Sequence, residues 1–181
     1  FEKLSKLKGK YHPIMVHRVD GPISVYRGTD EEIDKNIWKM NHELADKTVF
    51  QSKYSLDKHV EMGLEFKNPT IITNASDPYI FNPLGKKSLG GKIKLIATAW
   101  SSNQNKGVSI YEWLDNNLDF SRYEFTFLGN CDYKFKNAKH IEPQPSEEVA
   151  RILKEHDIYI TASKNDPCSN ALIEALSCGL P

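Results

Sequence analysis

The sequence predicts an α/β protein of two domains, each a parallel sheet with helices on both faces. In the second half, short β-branched and aromatic runs alternate with helical periods, an order that yields parallel strands joined by helical crossovers. The same alternation runs, less cleanly, through residues 13–73. Between the two, residues 74–91 hold Pro78, Pro83, Gly85, Gly90 and Gly91 without any period and read as an interdomain connection. This divides the chain into domains 1–84 and 85–181.

In order, residues 1–9 are amphipathic and basic, the tail of a helix, and residues 13–17 are a short strand. Arg18-Val-Asp-Gly-Pro22 is a loop marked by its Gly-Pro pair. Ile33, Ile37, Met40 and Leu44 recur at spacings of four, three and four, predicting a helix over 30–46 with Thr29 or Asp30 near its cap. Strand 48–52, helix 54–64 and strand 69–73 follow. The second half reads as strand 92–99, helix 107–116, strands 123–129 and 138–142, helix 146–156 and strand 157–163.

The final helix carries the most punctuation. Asp166 or Ser169 can cap it, Pro167 suits a first helical position, and Gly179 with Pro181 just beyond ends it. Ala171, Leu172, Ala175 and Leu176 form the core-facing stripe, while Asn170, Glu174 and Ser177 line another face. Asp166 then sits at the mouth of the helix and Glu174 two turns down.

Composition excludes several classes. With 24 basic and 24 acidic side chains among 181 residues the net charge is zero, so no global field favours nucleic acid. No apolar run approaches the roughly 20 residues of a membrane span, and no signal peptide is evident. Cys131, Cys168 and Cys178 leave an odd thiol, favouring a reducing, cytoplasmic setting. Neither these nor the six histidines show ligand spacing, so no metal is assigned. Asn74-Ala-Ser76 matches a glycosylation acceptor, a triplet common by chance. The chain begins at Phe1 and stops at Pro181, where an α/β domain sends in another strand, which reads as a fragment lacking both ends.

Ligands of parallel sheets bind at the carboxyl ends of strands, here in the loops after Trp100 and after Ser163. Ser101-Ser-Asn-Gln-Asn-Lys106-Gly107 leads a strand into a helix, so free amides, the positive helix end and Lys106 form an anion site suited to a diphosphate. A polar loop with a solvated lysine is the plainer alternative. Glu174 can accept two hydroxyl donors at once, or can be an exposed helix-former. His17 either serves a site or pairs with Asp20.

Asn165-Asp-Pro-Cys-Ser-Asn-Ala-Leu-Ile-Glu-Ala-Leu-Ser-Cys-Gly-Leu-Pro181, with Asp166 eight positions before Glu174, resembles the signature of the family-4 glycosyltransferases. The resemblance extends over most of residues 13–181. It implies the two-domain GT-B fold of Rossmann-like halves, and a metal-independent, retaining transferase with no cofactor beyond its nucleotide-diphosphate sugar donor. By that resemblance Asp166 contacts the donor sugar and Glu174 the ribose. Cys168, Ser169 and Asn170 present amides to the donor, Lys106 and Gly107 hold the diphosphate, and His17 lies near the reacting sugar. The sequence departs from the family at three positions: Asp166 stands for the usual Glu, Ala75 for the Gly of the linker pattern, and Ser101 for an arginine that Arg18 or another cation would replace. The acceptor is expected to be a glycan or a lipid-linked sugar, which leaves peripheral membrane association open. A nucleotide-sugar-binding module without turnover and a nucleotide-sugar epimerase of the same architecture are the alternatives.

Overall fold

The computed structural model describes residues 1–86, 90–101 and 104–181. In the first half, α1 (Glu2–Tyr11), β1 (Val16–Val19), α2 (Ile23–Arg27), α3 (Glu31–Leu44), β2 (Lys47–Phe50), α4 (Lys53–Glu61) and β3 (Pro69–Ile71) follow one another. The second half has β4 (Ile93–Ala99), α5 (Val108–Asn117), β5 (Tyr123–Gly129), β6 (Lys139–Ile141), α6 (Ser146–Leu153), β7 (Ile158–Tyr159) and α7 (Asn170–Ser177). Among the described residues every strand pairing is parallel, so the α/β class expected from the alternation is the one observed.

Two compact units divide the chain: Phe1–Asn74 with Asn165–Cys168, and Ala75–Lys164 with Ser169–Pro181. The change falls between Asn74 and Ala75 rather than after residue 84. Phe81 explains the shift, since it packs buried in one cluster with Ile96, Leu128 and Leu153 of the second unit. Residues 87–89 of the expected connection lie outside the described residues.

The second unit is a four-stranded sheet in the order β6-β5-β4-β7. Side chains alternate across a strand with a period of two, and the two faces are used differently. Leu95, Ala97, Ala99, Phe125 and Phe127 pack with Tyr111 and Leu114 of α5. Ile96 and Leu128 point the other way, to Val149, Ile152 and Leu153 of α6 and Ala175 of α7. Helices thus cover both faces, as buried parallel strands require. Strand β7 is shorter than the expected 157–163. Beyond Ile160, whose N–H still reaches the Ile96 carbonyl at 2.8 Å, the chain turns so that the Ala162 N–H donates to the Tyr111 hydroxyl at 3.0 Å.

The first unit is a three-stranded sheet, β1-β2-β3. Val19, Phe50, Leu64 and Phe66 form its core, with Ile37, Trp38 and Leu56 packed against them. Helix α3 is rotated from the expected stripe: its buried residues are Asp34, Asn41 and Leu44, whereas Ile33 is exposed. Buried polar groups are tolerated only with partners, and both have them. Asp34 accepts the N–H groups of Ile23 and Ser24 at 2.7 and 2.9 Å and the Ser24 hydroxyl at 2.6 Å. It thereby supplies the opening turn of α2, a helix too short to show a period in the sequence. Asp30 stands at the N-terminal cap position of α3 but makes no side-chain capping bond.

Candidate functional site

In the second unit the two expected ligand loops lie side by side, because they leave the adjacent strands β4 and β7. The Lys164 N–H donates to the Asn105 carbonyl at 2.7 Å. Gly107 is buried with φ 82°, and a Cβ there would come within 2.5 Å of both Cβ and O of Ala162. Only glycine fits that approach, so the Gly of the Lys-Gly pair sets how closely α5 begins against the strand exit. Lys106, half-buried, ends a short 3-10 turn, Gln104–Lys106, just before it. Ser102 and Asn103 of the proposed phosphate loop lie outside the described residues.

Helix α7 begins at Asn170. Ser169 is its cap, with Oγ accepting the Leu172 N–H at 3.3 Å, so Pro167 is not its first residue. It ends as expected: Gly179 has φ 80°, its N–H donates to the Leu176 carbonyl, and the Leu180 N–H donates to the Ala175 carbonyl. That pair of bonds is the Schellman arrangement. Ala175 is fully buried and Ala171 and Leu172 partly so, but Leu176 is 55% exposed. Cys178 and Leu180 take its expected place in the core. Glu174 is half-buried, and burial pushes its carboxyl above the ordinary range. The Tyr159 hydroxyl, 3.0 Å from the Thr98 hydroxyl, is pushed up to about 12, chiefly by burial and in smaller part by the Glu174 charge.

The expected donor wall is divided at Cys168. Ser169, Asn170 and Glu174 belong to the second unit, Asp166 and Cys168 to the first. Asp166 stands three positions before the Ser169 cap of α7. Its Oδ1 accepts the Cys168 N–H at 3.3 Å in a local turn that follows Asn165, whose φ is 56°. First-unit contacts hold this segment. The Pro167 ring lies against Gly21, where a Cβ would meet it at 2.8 Å. The Asn165 amide donates to the Val25 carbonyl at 3.3 Å, and the Asn74 amide to the Cys168 carbonyl at 3.4 Å.

Also in the first unit, Arg18 donates to Asp20 at 2.8 Å, Gln51 at 3.2 Å and Asn74 at 2.7 Å. Asp20 thus pairs with Arg18, and the pairing of His17 with Asp20 does not form. His17 instead accepts from the Asn41 amide at 3.1 Å, and burial lowers its pKa. The buried polar side chains Asp34, Asn41 and Asp115 escaped the sequence reading. Their seven-residue spacing on α3 was a usable signal for the first two. Among the described residues no group of three His, Cys, Asp or Glu side chains is placed to hold a metal ion, and no helix is long and apolar enough to cross a membrane.

No protein-family profile and no curated protein match the chain. Solved structures do. Sucrose-phosphate synthase from Thermosynechococcus elongatus superposes with a TM-score of 0.73 at 12% identity over 97% of this chain and 51% of its own. HepE of Anabaena, solved with UDP-glucose, superposes with a TM-score of 0.76 at 12% identity over 98% of this chain and 54% of its own. The same protein with UDP and glucose gives 0.71. The chain therefore spans about half the length of these structures. What it shares with them is the fold: Rossmann-like parallel sheets of the GT-B type.

Proposed function

We propose that the protein is a glycosyltransferase that moves a sugar from a nucleotide-diphosphate donor to a glycan or lipid-linked acceptor, with retention at the anomeric carbon and without a metal. Glu174 carries this reading. It is a half-buried carboxylate on a helix capped at Ser169, in the unit where the loops after β4 and β7 adjoin. The fold shared with sucrose-phosphate synthase and with a protein solved with UDP-glucose supports the choice of donor class.

In this mechanism Glu174 accepts the two ribose hydroxyls, which suits a carboxylate better than any neutral side chain. Lys106 and the amides that open α5 at Gly107 stabilise charge growing on the departing diphosphate, usually the largest catalytic contribution. Amides of Cys168, Ser169 and Asn170 face the donor. Asp166 orients the donor sugar, and the neutral His17 binds a sugar oxygen near the anomeric centre or an acceptor hydroxyl.

Titration calorimetry with UDP-glucose tests the donor site. Glu174→Ala is expected to weaken binding about tenfold to a hundredfold, the value of a charge-assisted hydrogen bond. Transfer assays with a panel of donors and acceptors test the enzyme: nucleoside diphosphate release that persists in a chelator, with a product of the donor's anomeric configuration, supports the proposal. Donor binding without release would instead identify a binding module, and an epimer without transfer an epimerase.

A further inference from the structure

We infer that Asn41 is a positioning residue that locks His17 in the tautomer carrying its proton on Nε2, so that the ring offers a hydrogen-bond donor to a sugar oxygen. The functional half of this inference rests on the role given to His17 above. The lock itself is read from a closed chain of hydrogen bonds.

His17 on β1 and Thr48 on β2 are register partners, so their side chains emerge on one face, beneath α3. Asn41 projects from α3 onto them and is fully buried, as is Thr48. The Lys67 N–H donates to Asn41 Oδ1 at 3.2 Å, and the Thr48 hydroxyl donates to the Lys67 carbonyl at 2.7 Å. These two bonds fix the amide. Its oxygen must face the Lys67 N–H, and Thr48 Oγ1, its own hydrogen committed, can only accept from Asn41 Nδ2, at 2.8 Å. The second Nδ2 hydrogen then points at His17 Nδ1, 3.1 Å away.

Nδ1 must accept, which makes the ring neutral and puts the proton on Nε2. Among the described residues Nε2 has no hydrogen-bond partner. Beside the ring, a cavity of about 200 Å³ is lined by apolar side chains including Leu4, Met15, Met40 and Leu44. The imidazole is therefore tethered at one nitrogen and presents the other. Flipping the amide would bury two donors and two acceptors face to face, each unpaired.

Imidazole nitrogen NMR tests the lock in the wild-type chain. A pyridine-like Nδ1 and a pyrrole-like Nε2 on His17 are expected, and the reverse pattern or an averaged one would overturn the inference. Asn41→Asp can only accept, and is expected to draw the proton to Nδ1. Thr48→Val removes a bond of the same network without touching His17, and is expected to lose stability while keeping the tautomer. In transfer assays Asn41→Asp should lower kcat about tenfold to a hundredfold with the donor KM little changed, and His17→Gln, which keeps a donor near the Nε2 position, should retain more activity than His17→Ala. A tautomer that survives Asn41→Asp overturns the lock alone. A tautomer that reverses while kcat is unchanged removes His17 from the reaction and Asn41 with it.

Discussion

At the scale of single residues, the donor-binding role proposed for Glu174 is set against stability. Burial raises its pKa, so the unfolded chain gives up the proton more readily than the folded one. The sign follows: below the unfolded value, near 4.3, both states hold the proton and there is no penalty, and as pH rises through the folded value the ionised carboxylate comes to destabilise the fold. Glu174→Gln is therefore expected to raise the Tm at pH 7 and to leave it unchanged near pH 4, while donor binding falls. Thermal unfolding at the two pH values checks it. A Tm lowered equally at both would mean that Glu174 serves the fold. Binding sites commonly trade stability for activity in this way.

Individual elements are held by buried carboxylates as much as by apolar contact. Helix α5 carries fully buried Asp115, which accepts the N–H groups of Lys136, Asn137 and Ala138 at 2.7–2.9 Å and the Tyr133 hydroxyl at 2.9 Å. Burial pushes the Asp115 pKa up, but the donors outweigh it and the carboxyl lies below its ordinary value. Asp115 thus organises the loop between β5 and β6. A depressed folded pKa gives stability that is present above the unfolded value, near 3.9, and lost as pH falls through the folded one. Asp115→Asn keeps the volume but turns an acceptor toward a donor, and should cost about 2–4 kcal/mol. Urea unfolding at pH 7 measures the loss, and the variant should lose less than the wild type on acidification from pH 5 to 3. Asp34 does the same for α2, which has five residues and no cap of its own. Neither role shows in local sequence, because the partners of Asp115 lie up to 23 positions away and those of Asp34 up to 11.

Across the whole molecule, the chain passes out of the second unit after Lys164 and returns to it at Ser169. Four residues inside the most informative stretch of the sequence thus belong to the other unit. Donor binding through Glu174 and the Lys106 turn predicts a particular footprint in hydrogen exchange. UDP-glucose should slow exchange of amides in 105–108 and 169–177, and leave the core of the first unit, Val19 and Phe50, unchanged. Protection confined to the first unit would place the ligand elsewhere.

Much was legible in the sequence because it depends on near neighbours. Alternating periods predicted the parallel α/β class, strand 123–129 and helix α5 emerge almost to the residue, and Ser169 and Gly179 mark the ends of α7 through capping chemistry that acts over a few positions. Tertiary structure alone decided the rest. It turned α3 so that Asp34 and Asn41 face inward, and shortened β7 where Ala162 meets Gly107. In each case the deciding contact joins residues far apart in the chain. A polar side chain in the interior stabilises only if such a partner is there, and a periodic pattern of apolar residues does not encode that partner.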